Sequence, residues 1–266
     1  PFDKFKLADR TLGTQMKSTG ETMAIGRSFE EALMKGWRSI GQGLGYPETI
    51  KWRKEKLEEK LRVPNDQRLT IIWNYLKRRN ASPNRIQRTC ELTDFHPFFI
   101  ERIGELVKIE NKLEKIRKNI PKKILLKAKS NGFSDSHISH LTGKNEETIR
   151  NQRKRMNITS SFLMVDTCAG EFEAKTPYFY STYLDQKAEY KIGKNIVILG
   201  SGPIRIGQGI EFDYSTVHGV QAVRKAGYEA VVVNNNPETV STDFDASDRL
   251  YFEPLDAESI FEILDV

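Results

Sequence analysis

The run from Asn195 to Pro254 constrains the fold of this 266-residue chain more than any other segment. It opens with a short apolar, β-branched stretch, Asn195 to Leu199. Gly200, Gly202, Gly207 and Gly209 then punctuate a loop, and a second apolar stretch runs from Tyr228 to Val233. Between the two, Val217, Val220, Val223 and Arg224 recur at helical spacing, and Gly227 supplies a left-handed stop. The pattern predicts a β-α-β unit. In a parallel sheet the loop after the first strand opens at the carboxyl edge, where backbone N–H groups and a helix N-terminus favour anionic ligands. The dinucleotide fingerprint does not follow, because the glycines are spaced G-x-G-x-x-x-x-G-x-G. The second strand also ends in Asn234, Asn235 and Asn236 rather than in an acid that would hold a ribose.

Upstream the pattern changes period. Ser28 can cap a helix with Glu31 as capping-box partner, and Phe29, Leu33, Trp37 and Ile40 share one face of it. Gly41, Gly43, Gly45 and Pro47 then break the chain. From Lys51 to about Asn157 the reading is all helical, punctuated at Pro64, Pro83, Pro97, Pro121 and Gly132. Ile71, Ile72, Tyr75 and Leu76 form one core stripe, and Phe98, Ile103, Leu106, Val107 and Leu113 a second. An irregular connection follows, in which Tyr178, Phe179, Tyr180 and Tyr183 are read as packing beneath a long crossing segment. The units are therefore 1–46, 47–190 and 191–266.

Charge divides along the same line. Residues 51–160 hold 27 Lys and Arg against 13 Asp and Glu, and residues 161–266 hold 8 against 17. Such asymmetry fits either a nucleic-acid surface or a basic helical face that meets acidic neighbours. Residues 133–156 have a helix-turn-helix layout: Ser134 caps a first helix, Gly143 turns, and a second helix opens at Asn145 and ends in Arg150, Arg153, Lys154 and Arg155. A helix-turn-helix nucleic-acid binder is therefore the alternative reading. Against it, Glu146 and Glu147 occupy the positions that would meet bases, and cations at a helix C-terminus are what the dipole favours anyway.

Other chemistries find little purchase. His137 and His140 stand three apart without a third ligand, so no metal site is expected. Cys90 and Cys168 are too few for a disulfide framework and lack metal-ligand spacing. No catalytic triad or phosphate-loop motif appears, and no catalytic residue is assigned. No run of 18 apolar residues exists and the lead-in PFDKFKLADR lacks a secretion signal's apolar stretch, so a cytoplasmic protein without membrane contact is expected.

Two motifs carry a resemblance. GSGPIRIGQGIEFDYS (Gly200 to Ser215), followed by NNNPETVSTDFDASDRLYFEPL (Asn234 to Leu255), closely resembles the start of the second synthetase half of the carbamoyl-phosphate synthase large chain. TQMKSTGETMAIGRSFEEALMKGWRSI (Thr14 to Ile40) is similar to the tail of the first ATP-grasp unit of that family. FHPFFIERIGELVKIE, KSNGFSD and VDTCAGEFEAKTPYFYSTY fit the helical oligomerisation domain that joins the halves.

The resemblance implies a mixed fold, an α-helical oligomerisation domain followed by the start of a Rossmann-like α/β (pre-ATP-grasp) domain. It implies an ATP-dependent ligase that makes carbamoyl phosphate from bicarbonate, two ATP and ammonia. The ammonia is released from glutamine by a partner amidotransferase small chain, and the product serves arginine and pyrimidine biosynthesis. ATP and Mg²⁺ are its cofactors, with ligands mostly outside residues 1–266. The remainder of the large chain is then a partner, the assembly is an oligomer, and this polypeptide alone is expected to be inactive. Gly209, Glu211 and Glu238 match positions that line the family's interior carbamate tunnel. Arg205, in the glycine loop, is a candidate anion contact that can equally pair with Glu211 or Asp213.

Overall fold

The computed structural model describes residues 5, 7–17, 20–40, 45–184, 194–205, 207–209 and 213–265. The glycine break at Gly41 and Gly43 and the acidic stretch from Asp185 to Gly193 lie outside them.

Helix α1 (Phe29–Ser39) starts as its sequence dictates: the Glu31 N–H donates to Ser28 Oγ at 3.2 Å, and Glu31 Oε2 accepts from the Arg27 N–H at 2.8 Å. Seven helices follow: α2 (Lys54–Arg62), α3 (Arg68–Lys77), α4 (Pro83–Thr93), α5 (Pro97–Leu113), α6 (Lys122–Lys129), α7 (Asp135–Thr142) and α8 (Glu146–Arg155). Helix α5 is the axis, touching α1, α3, α4, α6 and α7. The two predicted stripes meet here, and Ile71, Ile72, Leu76, Ile103, Leu106 and Val107 are all buried in one core. Full burial of each such side chain is worth about 1.5–3 kcal/mol. Phe98, assigned to that stripe, is instead 48% exposed and stands edge-on to Phe29 and Phe99 at the start of α5. Met34 of α1 enters the same core, and Trp37 packs edge-on to Trp73 at 6.0 Å.

The α/β part is one mixed sheet in the order β1-β2-β5-β4-β3, built from β1 (Ser161–Met164), β2 (Tyr178–Thr182), β3 (Asn195–Leu199), β4 (Glu229–Asn234) and β5 (Arg249–Phe252). Strands β3, β4 and β5 are parallel, with Val197 opposite Val231 and Val232 opposite Leu250. Helix α9 (Tyr214–Lys225) makes the predicted crossover, and α10 (Ala257–Leu264) follows β5. Val231, Val233, Tyr251 and Ile263 fill one side of the sheet, while Val220, Ala230, Val232 and Leu250 fill the other.

The connection expected to be irregular contributes two strands. Antiparallel β1 and β2 extend the sheet, and β2 runs parallel to β5 with Phe179 opposite Tyr251. The tyrosine segment packs because it alternates: Phe179 joins Phe162 and Tyr251 on one side, and Tyr178 meets Phe252 on the other.

Helical module and sheet meet through buried ions. Lys129 of α6 bridges Asp135 of α7 and Glu258 of α10, and the Asp135 N–H donates to the same Glu258 carboxylate. Arg153 of α8, fully buried, donates to Asp135 at 2.8 Å and to Glu262 of α10 at 2.7 Å. Lys35 of α1 reaches Glu253, after β5, at 2.7 Å, and Arg38 reaches Asp256 at 3.0 Å. Tyr183 lies between, its hydroxyl donating to Glu258 at 3.1 Å. Burial would raise the Glu258 carboxyl, but Lys129, Arg38 and Arg153 outweigh it and hold the group down at about 2.

Candidate functional site at the carboxyl edge

The glycine loop and the asparagine run form one structure. A Cβ on Gly200 would lie 2.5 Å from the side-chain carbon of Asn234, so only glycine fits there. Asn234 Oδ1 then caps the loop by accepting from the N–H groups of Gly202 at 3.2 Å and Asn235 at 2.9 Å. Gly202 has φ +81°, a left-handed geometry that costs glycine little. In the sequence Asn234 stands out only as a missing acid. An amide beside a glycine that cannot carry a side chain was the signal available for its real role.

An upstream segment lies across this edge. Glu21 and Ile204 exchange backbone hydrogen bonds at 2.8 and 3.0 Å, the Met23 N–H donates to the Asn235 carbonyl at 2.7 Å, and the Thr22 hydroxyl donates to the same oxygen at 3.0 Å. Gly20 lies so close that a Cβ would sit 2.7 Å from the Ile204 carbonyl. Asn235 Nδ2 donates to the Ser39 carbonyl at 3.3 Å, which joins the end of β4 to the end of α1. Beside this strap an open cavity of about 620 Å³ is walled by Thr22, Trp37, Ile40, Tyr46 and the Arg10–Asp66 ion pair.

The sequence-designated residues take the following places. Arg205 donates from its guanidinium to the Ile40 carbonyl at 2.9 Å, at the C-terminus of α1. Gly209 is exposed in the loop after β3. Glu238 is exposed after β4, its N–H donating to Asn236 Oδ1 at 2.9 Å. Glu211 lies outside the described residues. Gly209 and Glu238 thus follow the carboxyl ends of neighbouring parallel strands. Asp213, at the start of α9, is buried and accepts from the Ser241 N–H, so it anchors a turn.

The helix-turn-helix reading gains no support. The geometry forms as expected, with Ser134 and Asn145 capping α7 and α8 and Gly143 at φ +67°. Its cations, however, divide: Lys154 and Arg155 stay exposed, while Arg153 turns inward and Arg150 lies against an aromatic ring. Arg153 is buried between Asp135 and Glu262, Lys154 pairs with Asp265, and the Arg150 guanidinium lies 4.4 Å above the Phe261 ring. His137 is stacked between Tyr46 at 4.5 Å and Phe133 at 4.9 Å, and burial lowers its pKa to about 3, so it packs as a neutral ring. Among the described residues no group of three His, Cys, Asp or Glu is placed to hold a metal ion, and no helix is long and apolar enough to cross a membrane.

Fold and edge together define a class: a helical domain locked by buried ions to the opening unit of a nucleotide-type sheet, with an upstream segment bridging that sheet's carboxyl edge. Two family models match the chain. One is the oligomerisation domain of the carbamoyl-phosphate synthetase large chain, over residues 21–157. The other is the pre-ATP-grasp domain of carbamoyl phosphate synthase, over residues 193–266. The chain belongs to the carbamoyl-phosphate synthase large-chain family.

Proposed function

We propose that this chain is the joint between the two synthetase halves of a carbamoyl-phosphate synthase and forms part of the passage that carries carbamate from one to the other. The observation that carries this reading is the strap at residues 20–23, hydrogen-bonded across the carboxyl edge of the sheet beside an open cavity. That edge is where a parallel α/β sheet receives small anionic ligands. In this reading Gly209, Glu211 and Glu238 are walls of the passage, and Arg205 orders the loop by holding the end of α1.

Family membership supports the following reaction for the whole enzyme. Bicarbonate is phosphorylated by ATP, ammonia displaces that phosphate, and the resulting carbamate is phosphorylated by a second ATP. The ammonia comes from glutamine through an amidotransferase small chain, in the cytoplasm, for arginine and pyrimidine supply. In this reading ATP and Mg²⁺ are the cofactors of the whole enzyme, held mostly by other parts of the large chain. The helical module carries the self-association its family is named for.

The test uses the assembled enzyme. With Gly209→Leu or Glu238→Ala, overall carbamoyl-phosphate synthesis falls while bicarbonate-dependent ATP hydrolysis and ATP formation from carbamoyl phosphate persist. Equal loss of all three activities would refute a passage role. The purified chain alone shows neither partial reaction.

A further inference from the structure

The buried ions at the joint take up only part of the basic excess in residues 51–160. Six of the other cations crowd the corner where α5 turns into α6: Lys112, Lys115, Arg117, Lys118, Lys122 and Lys123. All six are exposed, and among the described residues none is in an ion pair. Glu114 is the one acid between positions 112 and 123, and Lys77 holds it at 2.7 Å. Like charges this close along the chain repel one another, so the corner carries a cost that an anionic occupant would offset.

Two features set this corner apart from a merely solvated face. Lys122 and Lys123 occupy the first turn of α6, where the helix dipole disfavours cations, and no side chain caps that turn. Beside the corner lies an open groove of about 370 Å³ whose walls include Asn119, Thr148, Asn151 and Arg155. Gln152, also in the groove wall, ties it to the corner by donating from Nε2 to the Ile120 carbonyl at 2.6 Å. Among the described residues, no hydrogen bond or ion pair engages the side chains of Asn119, Asn151 or Arg155, so a bound chain finds them available.

We propose that this corner and groove form a docking surface for an extended acidic segment of a protein partner. The six cations and Arg155 match its carboxylates, and the amides of Asn119 and Asn151 each offer donors and an acceptor to its backbone. The described walls of the groove contain no aromatic ring on which bases could stack, which favours a peptide over a nucleic-acid strand. Surface charges of this kind govern how fast and how selectively a partner is met more than how tightly it is held. The surface is built from α6, α8 and the end of α5 with the turn after it, none of which supplies a residue to the carboxyl-edge site, so it does not rest on the passage.

The test is fluorescence anisotropy of a labelled peptide of alternating Glu and Ala, titrated with this chain. Binding should saturate, weaken as sodium chloride is raised, and vanish when Gln replaces Glu in the peptide. Lys118→Glu with Lys122→Glu should weaken it about tenfold. Lys194→Glu with Lys225→Glu, an equal charge change on the α/β part, should leave it within about twofold. Asn151→Ala should weaken it about threefold, the loss of one hydrogen bond, which a general charge effect would not show. All five side chains are exposed, and circular dichroism checks that each variant is folded. Absence of saturable binding, equal binding of the Gln peptide, equal losses in the two charge-reversed pairs, undiminished binding in Asn151→Ala, or tighter binding of a single-stranded DNA oligonucleotide in competition overturns the proposal. So does light scattering that shows a dimer dissolved by Lys118→Glu with Lys122→Glu, because the occupant is then a second copy of this chain.

Discussion

Gly200 shows how one missing side chain organises the edge. Its place beside Asn234 leaves no room for a methyl group, so Gly200→Ala must push aside the amide that caps the loop. A loss of about 1–3 kcal/mol follows from such overpacking, measurable by urea denaturation. The ion pairs at the junction give a second prediction. Arg153 is fully buried, and Arg153→Met leaves Glu262 without its cation and Asp135 with Lys129 alone, a change that costs about 3–5 kcal/mol. The pH dependence carries its own sign. Glu258 sits near 2 in the folded chain against an ordinary value of 4.5, so its contribution is complete above 4.5 and drains away as pH falls toward 2. Burial moves Glu31 the opposite way, so its contribution is largest in acid and is lost as pH rises through its raised value. In thermal melts across pH 2–5, Glu258→Gln should flatten the acid limb, and an unchanged limb would exclude Glu258 as its source. At this scale the capping box was legible, because Ser28 and Glu31 act within one helical turn. Asn234 was not, because its partner Gly202 lies 32 residues away.

Among elements, those with local causes were read correctly. Helix α9 and strands β3 and β4 follow from periodicity and a terminal glycine. Strands β1 and β2 were missed, since four or five residues carry little periodic signal and β2 takes its place by pairing with the distant β5. Helices α7 and α8 teach a different lesson. Spacing places cations on α8, but it does not say what those cations meet, and α10 supplies the answer with Glu262. The charge imbalance between the two parts of the chain was the visible trace of that contact. The two family matches end and resume at 157 and 193, yet ions from both sides interlock in one buried cluster. We expect a single unfolding transition. Trp37, Trp52 and Trp73 all report on the helical part, and hydrogen exchange in β4 reports on the sheet. The two probes should coincide in the wild type and separate in Arg153→Met.

For the whole molecule, burial of the junction decides how solvent acts on it. Lys129, Arg153, Asp135 and Lys35 have side chains 3% exposed or less, so mobile ions hardly reach them. The melting temperature should therefore change little between 0.1 and 1 M sodium chloride, and a steep decline would mean that the pairs are hydrated. Global architecture was legible as far as the resemblance reached, namely a helical domain followed by a nucleotide-type sheet. The way the pieces touch was not, because it depends on backbone groups that composition never displays. The strap at Gly20 to Met23 is the clearest instance: it comes from the upstream segment but completes the edge of the downstream sheet. Anyone exchanging halves between relatives should therefore treat residues 20–23 and 200–209 as one inheritable unit. A chimera spliced between them would set a foreign clasp on that edge, without its Glu21–Ile204 backbone pair and its bonds to the Asn235 carbonyl, and a lowered melting temperature would be its first symptom.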